Sequence, residues 1–165
     1  MSNKIIKAHG DATDPDGDGK IVIPHVCNDI GKWGKGFVKA LSSKWPETRK
    51  FYMKWYRDGV AQNRKFKLGH TTFLQVEETD EKEIVVANMI AQHKIAEMGD
   101  TKKPIRYAAL VRCMAEVAIY CQKEDASIHA PVFGCGLAGG AKEVVFSMIN
   151  ELWISRGISV TVYNY

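Results

Sequence analysis

Apolar residues in this chain run together or alternate in some stretches and recur every three to four positions in others, and each change of period marks an element. Ile5-Ile6 with Ala8 predicts a short first strand, and Ile21-Val22-Ile23 is an apolar, β-branched run of the buried kind. Phe37 to Lys44 can be helical. Pro46 and Gly59 bracket a second helix, the proline at its first turn and the glycine at its end. Thr71 to Val76 and Glu83 to Ile90 read as strands around a charged turn at Thr79 to Lys82. Pro104 opens the longest helix, along which Tyr107, Leu110, Val111, Met114, Val117, Ala118 and Cys121 follow helical spacing as a buried stripe. Ser127 to Val132 predicts another strand. Val145, Met148, Ile149 and Leu152 share one side of a last helix that Gly157 ends, and Ile158 to Tyr163 closes the chain as a strand. The order β, β, α, α, β, β, α, β, α, β places helices between most strands. It predicts an α/β protein, a three-layer α/β/α sandwich around a mixed, largely parallel six-stranded sheet. Residues 1–165 are expected to form one domain.

The strand begun at Ile21 turns polar at His25, Cys27, Asn28 and Asp29, then meets Gly31, Gly34 and Gly36 just before the helical segment at Phe37. Glycines let a backbone approach a ligand, and free N–H groups at a helix start point at an anion. Pro131 to Gly140, PVFGCGLAGG, repeats the arrangement of strand, glycine loop and helix. Gly31, Gly34, Gly36, Gly134, Gly136 and Gly139 in two such loops favour a phosphate cradle over simple turns, with the loops closing on a diphosphate from opposite sides. The run from Glu83 also ends in a polar tip, Asn88 to His93.

Apolar content of 45% and charged content of 25% are those of a globular protein. No apolar run reaches the length of a membrane span, and the start MSNKIIKAHG has no signal-peptide apolar region, so no membrane partner and a cytoplasmic location are expected. Cys27, Cys113, Cys121 and Cys135 lack zinc-ligand spacing and read as small reduced core residues. The net charge of +4 attracts an anionic small molecule but is too small and scattered to argue for nucleic acid. Phe51, Tyr52, Trp55 and Tyr56, interleaved with Lys50, Lys54 and Arg57, allow an RNA-binding face, but the spacing favours a core-facing stripe with a solvated basic side. Asp14 to Gly19 imitates a calcium loop. Its twelfth position is His25 rather than a bidentate glutamate, so the segment reads as a turn, and neither metal nor cofactor is expected.

Taken in order, these segments resemble the macro domain, the fold that binds ADP-ribose, over nearly the whole chain. Gly10-Asp11-Ala12-Thr13 is similar to the family's GD-x-T segment, which implies that Asp11, with Ala12 beside it, holds the adenine amino group. His25 to Asn28 followed by Gly31-Lys32-Trp33-Gly34-Lys35-Gly36 resembles the first phosphate loop, closest to the branch of yeast ADP-ribose-1″-phosphate phosphatase and the terminal ADP-ribose protein glycohydrolases. Phe133-Gly134-Cys135-Gly136-Leu137-Ala138-Gly139 resembles the second phosphate loop. Val160 to Tyr163 is similar to the final strand, whose end, Tyr163 with Asn164, is implied to lie near adenine.

Gln92 and Ala138 stand where the de-ADP-ribosylating members carry a lysine and an aspartate. The resemblance therefore implies a domain that binds ADP-ribose or its 1″-phosphate and acts as a phosphatase on the latter. The alternatives are an ADP-ribosyl hydrolase or deacylase, and a non-catalytic reader. His25, with its near-neutral reference pKa, is the candidate proton carrier, and the alternative for it is a satisfied core histidine. Asn28 either fixes the distal ribose or caps its own loop. Asp29 is the further candidate base. Trp33 either covers the ligand or packs over the loop. Cys135, between glycines at a helix start, is placed for a lowered pKa, although its backbone N–H is the expected contact. His93 and His129 are expected to be structural.

Overall fold

The computed structural model describes residues 4–97, 99 and 101–164. In chain order the elements are β1 (Ile6–Ala8), β2 (Gly19–Asn28), α1 (Phe37–Lys44), α2 (Glu47–Asp58), β3 (Val60–Ala61), β4 (Arg64–Lys65), β5 (Thr71–Glu78), β6 (Lys82–Gln92), α3 (Tyr107–Glu124), β7 (Ser127–Pro131), α4 (Lys142–Leu152) and β8 (Val160–Tyr163). A 3₁₀ turn, Ile154–Arg156, lies between α4 and β8. Six strands form one sheet in the order β1-β8-β7-β2-β6-β5. All neighbours are parallel except β5, which pairs antiparallel with β6.

The period of two sorts side chains between two helical layers. From β2 and β6, Val22, Val85, Ala87 and Met89 pack with Leu110, Met114 and Val117 of α3 and Val145 and Ile149 of α4. Their neighbours Ile21, Ile23, Ile84 and Val86 face the opposite way, onto Leu41 of α1 and the adjoining Trp45. Cys27 and Ile90 meet Tyr52 and Trp55 of α2. The expected three-layer sandwich is therefore present, with α1 and α2 on one face and α3 and α4 on the other. The aromatic stripe of α2 is largely core-facing: Tyr52 and Trp55 are fully buried, whereas Lys50, Lys54 and Arg57 are exposed. Among the described residues, no helix is long and apolar enough to cross a membrane.

Three local departures from the sequence reading have physical causes. The hairpin β3–β4 has strands of two residues each, too short to carry a period, and turns through Gln62 and Asn63, both at positive φ. Gln62 then accepts from the Phe73 N–H (3.2 Å), covering part of the β5 edge. The long helix starts at Tyr107 rather than at Pro104, because the N–H groups of Ile105 and Arg106 are drawn into tertiary bonds to Ala138 and Ala91. Val111 belongs to the solvent side of that helix, and Cys113 takes the buried place beside Met114.

In a parallel sheet the carboxyl ends of the strands share one edge, so the tips of β2, β6, β7 and β8 gather there. The β2–β6 ladder runs from Gly19 to Asn28, whereas the β2–β7 ladder registers only Ile21 with Ser127 and Val22 with Ile128. Pro24, two residues further along β2, has no N–H to extend the second ladder. Beyond Val22 the ladder stops, and a cavity is lined by residues that follow on both strands.

Candidate functional site

The cavity, about 600 Å³, is walled by His25 to Asn28 at the tip of β2 and by Gly31 to Gly36 of the first loop. Phe37 and Val38 at the start of α1, and Arg49 and Met53 of α2, continue that wall. Gln92, Ile95 and Ala96 beyond β6 add to it, and Pro131 to Gly134 with Gly136 to Ala138 close the other side. Among the described residues its lining holds three cationic side chains, Lys32, Lys35 and Arg49, and no carboxylate.

The first loop is shaped by Asn28. Its Oδ1 accepts from the N–H groups of Ile30 (3.1 Å) and Lys32 (3.0 Å), and its Nδ2 donates to the Lys32 carbonyl (2.7 Å). Tyr52, buried on α2, reaches the same residue with its hydroxyl, 2.9 Å from the backbone carbonyl and 3.0 Å from Oδ1. The asparagine thus caps its own loop, and its side-chain amide is largely taken up in doing so. Gly31, at φ 73°, could not carry a side chain here: a Cβ would stand 2.4 Å from the Tyr56 ring. At the end of the loop α1 begins with no side-chain cap, on the cavity lining, which is the anion-binding arrangement expected of a helix start.

His25 is 2% exposed. Its Nε2 lies 2.6 Å from Asn88 Oδ1 on β6, and Trp33 meets the ring edge-on at 5.5 Å between centroids. Burial pushes its pKa down to about 4, against a smaller opposing pull from Asn88. The imidazole is therefore neutral near pH 7, and its burial and bond to Asn88 favour the satisfied core histidine of the two alternatives. Trp33 packs over the loop, its Nε1 donating to Ser42 Oγ (2.7 Å) and its ring 5.1 Å from Tyr52, and it lines the cavity as well.

Asp29 does not line the cavity. One carboxylate oxygen lies 2.8 Å from His93 Nδ1, the other accepts the Lys94 N–H (2.7 Å), and the Asp29 N–H donates to the Gln92 carbonyl (3.0 Å). This is a latch between the first loop and the segment after β6 that carries Ile95 and Ala96. As a base Asp29 would have to break it. Gln92 lines the cavity, with its side-chain amide donating to the Lys94 carbonyl (2.9 Å).

In the second loop the carbonyls of Gly134, Gly136 and Ala138 accept from Gly140, Gly139 and Ile105. Acceptor oxygens that would repel an anion are thereby occupied within the protein. Gly140, not singled out from the sequence, is required by packing, since a Cβ there would lie 2.4 Å from the Gly134 oxygen. Phe133 is buried against Trp153, and Leu137 is exposed at the cavity rim. Cys135 and Gly139 do not line the cavity, and burial raises the Cys135 thiol pKa rather than lowering it. The helix α4 starts at Lys142, beyond the last lining residue, so only one of the two helix starts faces the cavity.

A macrodomain protein from Streptomyces coelicolor is 42% identical to this chain, over 98% of this chain and 99% of its own, with a TM-score of 0.82. The chain belongs to the macrodomain family. A Bacteroides thetaiotaomicron protein of unknown function matches over 99% of both chains, at 45% identity and a TM-score of 0.90. Mouse chromodomain-helicase-DNA-binding protein 1-like is 27% identical over 99% of this chain, which spans 18% of the mouse protein's length. Thermosipho africanus DarTG, solved in complex with ADP-ribose, shares the fold at 15% identity and a TM-score of 0.68, over 86% of this chain and 37% of its own. No family model matches the chain.

The remaining sequence candidates of this macrodomain lie outside the cavity lining, around Gly10. Asp11 Oδ1 accepts from both the N–H and the hydroxyl of Thr13 (2.8 Å each), an Asx turn, and the side chain is exposed. Ala12 is buried beside it. Asn164 accepts the Gly10 N–H (3.3 Å), while the Tyr163 hydroxyl accepts the Asp16 N–H (3.0 Å) and lies 2.9 Å from His129 Nδ1. The fold thus brings Asp11, Ala12, Tyr163 and Asn164 together at the ends of β1 and β8. Arg49, Met53, Ile95 and Ala96 were not foreseen as cavity residues. The i, i+4 spacing of Arg49 and Met53 on α2 was the available signal, but the aromatic stripe alongside masked it.

Proposed function

We propose that this macrodomain binds ADP-ribose, with the diphosphate between the two glycine loops and the distal ribose toward Trp33 and Gln92. The observation that carries this reading is a cavity lined, among the described residues, by two backbone-rich loops, three cations and no carboxylate. A diphosphate fits that lining: N–H groups at a helix start and guanidinium or ammonium side chains are the usual partners of phosphate oxygens. The cluster of Asp11, Ala12, Tyr163 and Asn164, on the same sheet edge, is the proposed adenine end. The DarTG complex with ADP-ribose supports the choice of ligand. Calorimetry with ADP-ribose, AMP and ATP tests it. ADP-ribose is expected to bind most tightly, and affinity no better than for AMP overturns the proposal.

For chemistry, the proposed reaction is hydrolysis of ADP-ribose 1″-phosphate. Water attacks phosphorus, the bond to the ribose oxygen breaks, one hydrogen of the water ends on that oxygen, and phosphate leaves with the rest. Such transfers depend mostly on positioning and charge stabilisation, which the cations around Trp33, Arg49 foremost, would supply. Gln92 and Ala138, in place of the lysine and aspartate of the de-ADP-ribosylating members, weigh against an ADP-ribosyl hydrolase or deacylase. The second reading is a reader without turnover, favoured by the neutral His25 and the latched Asp29. Phosphate release from ADP-ribose 1″-phosphate supports the phosphatase; tight binding without release selects the reader.

A further inference from the structure

Trp33 is not the outer wall of the site but a ridge within it. On its far side lies a second, more open groove of about 380 Å³, between the first loop and the outer faces of α1 and α2. Trp33, Gly34, Val38 and Arg49 line both spaces, so the two adjoin along these residues. Lys39, Ser42 and Ser43 line the groove alone.

The groove chemistry is one-sided. Among the described residues it holds a guanidinium, an ammonium and two hydroxyls, and no carboxylate is in its lining. Neither Arg49 nor Lys39 has an ion pair among the described residues. Ser42 Oγ accepts from the Trp33 indole, so its own hydrogen remains free to be donated. An ADP-ribose held in the main cavity with its distal ribose toward Trp33 would direct whatever is attached to that ribose across the ridge, toward these donors.

We propose that this groove is an anion subsite for a phosphate carried by the ligand beyond its distal ribose, with Arg49, shared by both spaces, as the residue that selects for it. The inference rests on the ADP-ribose reading of the main cavity. A planar guanidinium flanked by an ammonium and hydroxyls matches the oxygens of a tetrahedral phosphate. The phosphate has two possible sources, a monoester on the distal ribose or the diphosphate of a second ADP-ribose unit.

The test is titration of ADP-ribose, ADP-ribose 1″-phosphate and an ADP-ribose dimer against the native protein, Arg49→Ala and Lys39→Ala, at low and high salt. The native protein is expected to bind at least one phosphate-extended ligand about tenfold more tightly than ADP-ribose, with that advantage shrinking as salt rises. Which of the two gains affinity identifies the source. Arg49→Ala should remove the advantage whatever it does to ADP-ribose itself, and Lys39→Ala should reduce it while leaving ADP-ribose affinity in place. Equal affinity for all three ligands, or an advantage that survives both substitutions, overturns the subsite. Failure of ADP-ribose itself to bind overturns the parent reading instead, and the subsite with it.

Discussion

At the scale of single residues, the site depends on side chains whose sequence context gave their identity but not their partners. His25 and Asn28 stand out in the sequence as polar groups ending an apolar run. Their roles come from Asn88, 63 positions from His25, and Tyr52, 24 positions from Asn28. No local pattern encodes such pairs. The burial of His25 has a measurable consequence. Its folded pKa, about 4, lies below the ordinary 6.5, so between those values the unfolded chain binds the extra proton. The contribution of His25 to stability is therefore complete above about pH 6.5 and is lost as pH falls through 4, on the order of 3 kcal/mol across the window. Thermal melts of native protein and His25→Gln between pH 4 and 7 check this. The native protein should lose stability relative to the variant as pH falls, and a difference independent of pH would contradict a buried neutral imidazole. His25→Ala should lower melting temperature and ADP-ribose affinity together, by about 2–4 kcal/mol of stability, because it leaves a void under Trp33 and an unpaired Asn88.

At the scale of elements, α2 and the segment after β6 hold the loops without being loops themselves. Tyr52 does not line the cavity, yet its hydroxyl contacts Asn28 twice and so fixes the first loop. Tyr52→Phe keeps the ring packing and removes both contacts, at an expected cost of about 1–1.5 kcal/mol in stability. It should also weaken ADP-ribose severalfold, and calorimetry showing native affinity would mean that the loop keeps its shape without the staple. Asp29 is the matching latch on the other wall. Asp29→Ala should leave the melting temperature nearly unchanged, since His93 is substantially exposed, while hydrogen exchange at residues 93–96 rises and ADP-ribose affinity falls. The strands and helices were legible because each is long enough to repeat its period. The β3–β4 hairpin and the delayed start of α3 were not, because a two-residue strand has no period and Ile105 and Arg106 are held extended by distant carbonyls.

At the scale of the molecule, the site follows from the sheet. The β2–β7 ladder ends at Val22 while the β2–β6 ladder continues, and the cavity is lined by the ends of both partly separated strands. Pro24 was a visible sign of that opening, but its meaning depended on which strand lay beside β2, and strand order is not written in any local pattern. The pair of glycine loops was legible, and both line the cavity. Half of the basic wall was not: Lys32 and Lys35 sit in the first loop motif, whereas Lys39 and Arg49, on two helices, look like ordinary surface charge in sequence. The central claim is that the backbone of the two loops holds the ligand, and Gly136 tests it most directly. It lines the cavity, its φ is not in the left-handed range, and a Cβ there would meet nothing within 4 Å, so a side chain fits the fold and occupies ligand space. The measurement is calorimetric titration of ADP-ribose into native protein and Gly136→Leu, with melting temperatures recorded on both samples. Affinity is expected to fall on the order of a hundredfold, about 2.8 kcal/mol, with the melting temperature unchanged. Native affinity in a folded Gly136→Leu would contradict the account.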